Sequence, residues 1–230
     1  MKSLSQPSSF KYLDIVASFF VVSLIVSNVA SSAKIVDLGF SLLGIRLAFD
    51  GGTLLFPLVY VLGTVLTEVY GFKAAKRVIW TGFAAMALTT LVFFVLGVLP
   101  PEYYWESRVG SDAYSGILGG MSYGGIVLAS LSAYLVGKFA NAKILSKLKV
   151  KMKGRMLWVR TISSSLAGHF LDTAVFILIA TLTGVFPWEI FLPLLLTNYI
   201  IKCSIDITAT PFIYKVSGYL KNKEGVDVYD

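Results

Sequence analysis

The chain reads as an all-α, polytopic membrane protein with six transmembrane helices and both termini cytoplasmic, and three observations predict the fold class. Of its 230 residues, 56% are hydrophobic and only 14% are charged, and the mean hydropathy is +0.76, a balance that soluble domains of this length do not show. Several near-continuous apolar stretches reach the roughly 20 helical residues needed to cross about 30 Å of hydrocarbon. They are solidly apolar, whereas barrel strands are about ten residues long and alternate in polarity.

The spans fall at roughly 12–33, 52–70, 78–98, 120–140, 159–183 and 188–214, within a single transmembrane domain over residues 1–230. The first opens in "MKSLSQPSSFKYLDIVASFF". Its apolar run is longer than a signal-peptide core and lacks a cleavage motif, so it is expected to be retained. It carries Ser23, Ser27 and Ser31 at four-residue steps, small residues that let another helix approach, with Asn28 beside them as donor and acceptor at depth. In the second span Phe56, Pro57, Tyr60, Thr64 and Glu68 recur at steps of three and four, bringing aromatic surface, hydroxyl and carboxylate to one wall. Glu68, near the end of that span, has the alternative of reaching the interface to pair with Lys73 or Arg77. The fourth span, within "GGMSYGGIVLASLSAYLVGKF", repeats the small-residue theme and reads as packing.

The last two spans hold the most informative residues: His169 with Asp172 in "SSSLAGHFLDTAVFILIATLTG", and Lys202 with Asp206 in "FLPLLLTNYIIKCSIDITATPFIY". His169 and Asp172 are three apart and share a helix face, while Asn198, Lys202 and Asp206 step by four along another. A charge at a helix centre costs ~2.5–3.5 kcal/mol on insertion scales. Each pair has a structural alternative, neutralising itself as helix-to-helix glue. Intramembrane ionisable residues nonetheless mark functional sites by default, and a polar pocket between helices five and six near mid-membrane is expected.

Orientation follows from the basic residues. From Lys138 to Arg160 the chain carries Lys138, Lys143, Lys147, Lys149, Lys151, Lys153, Arg155 and Arg160 with no acidic residue, whereas the connection near 99–119 sets Glu102, Glu106 and Asp112 against Arg108. The first is therefore expected inside and the second outside, with Lys73, Lys76, Arg77 and both termini also inside. The net charge of +7 is then positive-inside bias facing anionic lipid headgroups of the bilayer, and no nucleic-acid partner is expected. A single cysteine, Cys203, excludes an intrachain disulfide and a thiolate metal site. No Walker loop, HExxH or GxSxG occurs, so neither metal nor cofactor is expected and the chain is not read as an enzyme. An intramembrane enzyme using His169 and Asp172 as an acid–base pair would need a further nucleophile or metal ligand, and the chain has only one histidine.

"FPLVYVLGTVLTEVYGFKAAKRVIW", "WVRTISSSLAGHFLDTAVF" and the tail "LKNKEGVDVYD" resemble the queuosine precursor transporter family, six-helix inner-membrane proteins of the vitamin-uptake type. The resemblance runs from Asn28 to Asp230. It implies import of 7-cyano-7-deazaguanine and 7-aminomethyl-7-deazaguanine, with queuine as a further candidate, and it carries the family's polar positions onto Asn28, Glu68, Asp172 and Lys202. The sequence departs from the family pattern in three places: Thr64 stands where an aspartate is expected, His169 where glutamine or asparagine is expected, and Asp206 where glutamate is expected. The first departure bears on proton coupling through the second span, and the change at His169 on which deazapurine is preferred.

The residue chemistry suits such a ligand. Adjacent N1–H and exocyclic amine donors of a deazaguanine match one carboxylate, Asp172 or Glu68, in a charge-assisted pair. The neighbouring O6 wants a donor, for which Lys202 or Asn28 serves, and the flat ring would stack on Phe56, Tyr60 or Tyr199. The candidate substrate site is thus Asn28, Phe56, Tyr60, Glu68, His169, Asp172, Asn198 and Lys202. Three routes of energisation stay open: a proton taken through His169 or a buried carboxylate, a separate ATPase module docked on the serine stripe, as for energy-coupling-factor substrate-binding subunits, or facilitated diffusion with metabolic trapping. Homo-oligomerisation and a substrate among other small vitamins are further alternatives.

Overall fold

The computed structural model describes residues 10–42, 45–122, 125–184 and 187–229. Helix α1 (Leu13–Ala33) buries Val16, Phe20, Ser23, Leu24 and Ser27 at helical spacing and turns Ile15, Phe19, Val22 and Val26 outward. An outer face of large apolar side chains over an inner face containing serines inverts the pattern of a water-soluble helix. It is the pattern of a helix facing lipid.

Strands β1 (Ile35–Leu42) and β2 (Ile45–Asp50) follow, paired antiparallel with Val36 opposite Phe49 and Ser41 opposite Arg46. This short hairpin interrupts an otherwise helical fold, the class expected, among the described residues. A connection between two spans still has to satisfy its backbone donors and acceptors, and here it does so by pairing with itself.

A 3-10 turn (Gly51–Leu54) leads into α2 (Phe56–Val98), which has a proline in its first turn where the missing N–H is harmless. Inside α2, Gly71 adopts φ 82° and ψ 173°, a conformation open essentially to glycine alone. Phe20 of α1 lies 3.4 Å from where a β-carbon on Gly63 would stand and 3.5 Å from one on Gly82. Both sides of Gly71 therefore pack on the same aromatic ring, and α2 folds back as two antiparallel arms. The break falls between the second and third expected spans. Gly71→Ala is expected to cost about 1–3 kcal/mol, read as a lowered melting temperature in detergent.

Beyond α3 (Tyr103–Arg108), capped by Glu102 accepting the Trp105 N–H at 2.9 Å, α4 (Ser111–Ser122) packs on α1 and α2. Ser32 Oγ donates to the Ile117 carbonyl at 2.6 Å, and the Tyr114 hydroxyl donates to the Phe93 carbonyl at 2.7 Å. Residues 111–119, expected in an outer connection, are thus helical and docked. Helix α5 (Gly125–Lys151) runs well past the expected end of the fourth span, so most of the basic connection is helix.

A turn with Lys153, Gly154 and Met156 at positive φ leads to α6 (Leu157–Leu182). A β-carbon on Gly137 would lie 2.5 Å from that of Asp172, and one on Gly168 would lie 2.8 Å from that of Asn141. Glycine at both positions lets α5 and α6 touch backbone to backbone. The chain ends in α7 (Phe191–Glu224), entered through a 3-10 turn (Trp188–Ile190). Among the described residues, α1, α2 and α6 are long and apolar enough to cross a membrane.

Candidate functional site

The helices surround a cavity of about 490 Å³, within the range of about 300–1,000 Å³ typical of small-molecule sites. Asn28 of α1, Phe56 and Tyr60 of α2, His169 and Asp172 of α6, and Asn198 and Lys202 of α7 all line it. Lys202 Nζ is ion-paired with Asp172 Oδ2, and each side chain keeps 25% of its surface exposed. Phe56 and Tyr60 lie one helical turn apart with rings nearly parallel, 6.1 Å between centroids and 13° between planes. The Tyr60 ring and the His169 imidazole meet edge to face, 4.7 Å between centroids. Tyr199 is not among the lining residues and packs on Phe170.

The ion pairs are crossed relative to the within-helix pairing that the sequence left as a structural alternative. His169 does not pair with Asp172, nor Lys202 with Asp206. His169 Nε2 lies 2.9 Å from Asp206 Oδ2, while Lys202 takes Asp172. Each bond therefore ties α6 to α7.

Glu68 is not in the cavity. It lies nearer Gly71, fully buried, with the Arg160 guanidinium donating in a fork to its two oxygens at 2.6 and 3.2 Å and Lys221 donating at 2.6 Å. Lys149 Nζ is 3.9 Å away and donates to the Glu68 and Val228 carbonyls at 2.5 and 2.6 Å. Asp227 joins through Lys149 at 2.5 Å and Lys221 at 2.9 Å. Neither Lys73 nor Arg77 is a partner of Glu68 in this cluster. Nearby, Glu224 accepts from the backbone N–H groups of Lys11 and Tyr12 and from the Tyr70 hydroxyl. Full desolvation of a carboxylate is tolerable only because three cations converge on it.

Burial alone would push the Asp227 carboxyl up, but the hydrogen bonds and charges of Lys149 and Lys221 outweigh it and hold the group below its usual range. Burial likewise opposes the charge on Lys221, and Glu68 and Asp227 outweigh it, raising its pKa. The Asp227 contribution to stability is thus complete above about pH 4 and lost on acidification through the lowered value. That of Lys221 is complete below about pH 10 and lost above the raised one. Asp227 and Lys221 therefore both stay charged across the neutral range.

A family model described as "Putative vitamin uptake transporter" matches residues 50–216, the stretch holding most of the cavity wall. The chain belongs to the vitamin uptake transporter family. It is 27% identical over 75% of its length to the "Probable queuosine precursor transporter" of Bacillus subtilis (strain 168), covering 73% of that protein. It is 26% identical to the "Queuosine precursor transporter" of Escherichia coli (strain K12), over 96% of this chain and 92% of the relative. A Haemophilus influenzae relative named "Probable queuosine precursor transporter" is 26% identical over 68% of this chain and 63% of its own length. No solved structure matches the chain significantly. Relatives and family are named as transporters, so this is a transporter and not an enzyme.

In this vitamin uptake transporter several cavity residues escaped sequence reasoning. Lys138, counted among the basic residues of a cytoplasmic connection, sits mid-helix on α5 in the cavity wall, its ammonium 4.6 Å from the centre of the Tyr60 ring. Tyr134 and Asn141 lie on the same side of α5 at steps of four and three from it. Thr173 lines the cavity with a buried hydroxyl that has no partner among the described residues. The i, i+4, i+7 spacing of Tyr134, Lys138 and Asn141 was the available signal. Gly137→Ala would drive α5 off the Asp172 β-carbon, and ligand-induced thermal stabilisation is expected to fall at least tenfold in ligand concentration while the fold persists.

Proposed function

We propose that this chain imports queuosine precursors, 7-cyano-7-deazaguanine and 7-aminomethyl-7-deazaguanine, across a prokaryotic inner membrane. In this reading six spans cross the bilayer: α1, the two arms of α2, α5, α6 and α7. The Gly71 end and both termini face the cytoplasm. The names of the relatives support the substrate class. The observation that carries the reading is the cavity itself, in which a carboxylate, ammonium groups, amides and aromatic faces converge inside an apolar bundle.

The flat heterocycle lies against Phe56 and Tyr60. Its N1–H and exocyclic amine donate to Asp172, and its O6 accepts from Lys202 or Lys138. Thr173 and Asn28 offer further hydrogen bonds from the cavity wall. Thermal melting of the purified protein with both deazaguanines, queuine and guanine tests the reading, since a ligand that binds only the folded state raises its stability by about 2.7 kcal/mol at a hundredfold excess over Kd. Stabilisation by deazaguanines is expected. Stabilisation by none of them, with a shift from another vitamin, would reassign the substrate.

A further inference from the structure

The import reading leaves Asp206 without a task. The residue lies one turn along α7 from Lys202, is 4% exposed, and borders a second cavity of about 20 Å³, room for one water. That cavity is also lined by Thr64, Asn141 and Lys138, and it lies between the large cavity and the Glu68 cluster. Along α2 the order is Tyr60, Thr64, Glu68, Gly71. Asp206 Oδ2 meets His169 Nε2, and its other oxygen is buried with no hydrogen-bond partner among the described residues. The imidazole thus lines the large cavity while its carboxylate partner lines the small one. A buried carboxylate short of donors is suited to carrying a proton for part of a cycle.

We propose that His169 and Asp206 form a proton-binding pair, filled from the large cavity and emptied toward the small one, that couples import to one proton. The proposal rests on the import reading. The charged and titratable groups around the pair are Asp172 on α6, Lys202 and Cys203 on α7, Lys138 and Tyr134 on α5, and Tyr60 on α2, while α1 presents Phe20. With the imidazole neutral, Asp172 and Asp206 balance Lys138 and Lys202. The added proton is therefore the net change of charge at the site, and carrying it with a neutral precursor moves one positive charge inward. Only the N–H or O–H bond that holds this proton forms and breaks.

The chain has a single histidine, so nitrogen-15 histidine labelling reports on one imidazole, through its two ring nitrogens, whatever the substrate. It is expected to change protonation between about pH 5 and 9, with a midpoint displaced by at least about one pH unit, tenfold in proton concentration, in Asp206→Asn. An imidazole that does not titrate in that range, or a midpoint unmoved in the variant, overturns the proposal. In proteoliposomes an acid-outside gradient of one pH unit is expected to raise accumulation of 7-cyano-7-deazaguanine about tenfold in the wild type. Asp206→Asn is expected to lose that gain while exchanging labelled for unlabelled precursor within about threefold of wild type. Gradient-driven accumulation that survives in the variant, or a wild type that exchanges precursor without responding to the gradient, overturns the coupling. If the variant does not fold, the wild-type titration and gradient response decide. A wild type that neither binds nor exchanges any deazapurine overturns the import reading instead, and the histidine titration still decides the proton site.

Discussion

Arg160→Leu is expected to cost about 3–5 kcal/mol of stability, the cost of removing one partner from a buried ion pair. Arg160 is 1% exposed and Glu68 is 0% exposed. Beyond its fork onto Glu68, the guanidinium donates to the Arg155 and Gly154 carbonyls at 3.0 Å each. The substitution leaves Glu68 with Lys221 at 2.6 Å and the more distant Lys149, and it orphans two carbonyls in the turn before α6. Denaturant or thermal melts in detergent provide the measurement. The double variant with Glu68→Gln should be less destabilised than the sum of the singles, because the second change removes the charge the first stranded. A loss under about 1 kcal/mol would mean that the two lysines suffice.

Asp172→Asn is expected to weaken deazaguanine binding by about 10- to 150-fold, corresponding to the loss of a charged hydrogen-bond acceptor worth about 1.5–3 kcal/mol. The amide matches the carboxylate in shape but offers one acceptor oxygen where a pair of adjacent donors needs two. It also frees Lys202 from its counter-ion. Comparing the double variant with Lys202→Met alone separates the two effects: if Asp172→Asn costs nothing further once the ammonium is gone, the stranded ammonium was the cause, and if it still weakens binding, the carboxylate itself held the ligand. Titrated thermal stabilisation reads both variants, and unchanged stabilisation in Asp172→Asn removes the proposed edge contact.

The helices themselves were legible because lipid enforces their apolar surfaces: α6 was expected at 159–183 and spans Leu157–Leu182. Which charge meets which was not. Three- and four-residue spacing ranks partners within a helix, whereas the close approach of α5 and α6 and the docking of α7 set the actual pairs His169–Asp206 and Lys202–Asp172. Lys138 was hidden for a related reason. Lys138 falls inside the expected fourth span, 120–140, yet it was counted with the basic connection as its first charge, whereas α5 continues to Lys151, and its buried Lys149 is held by Asp227 and two carbonyls. Glu68 shows the same limit from the other side. Lys73 and Arg77 were the partners its local spacing offered, and its cations come from α5, α6 and α7.

That cluster has a consequence for biosynthesis. Glu68 precedes its cationic partners by 81 residues for Lys149, 92 for Arg160 and 153 for Lys221. At a synthesis rate of about 5–20 residues per second, its carboxylate waits on the order of 4 to 30 seconds for them. Until then it has to stay protonated or remain at the lipid–water boundary, and the α2 hairpin cannot settle at its final depth. Closure of this end of the bundle is therefore a late event in the life of the nascent chain, and a polypeptide halted before α7 carries an incompletely neutralised acid that sets it apart from a finished one.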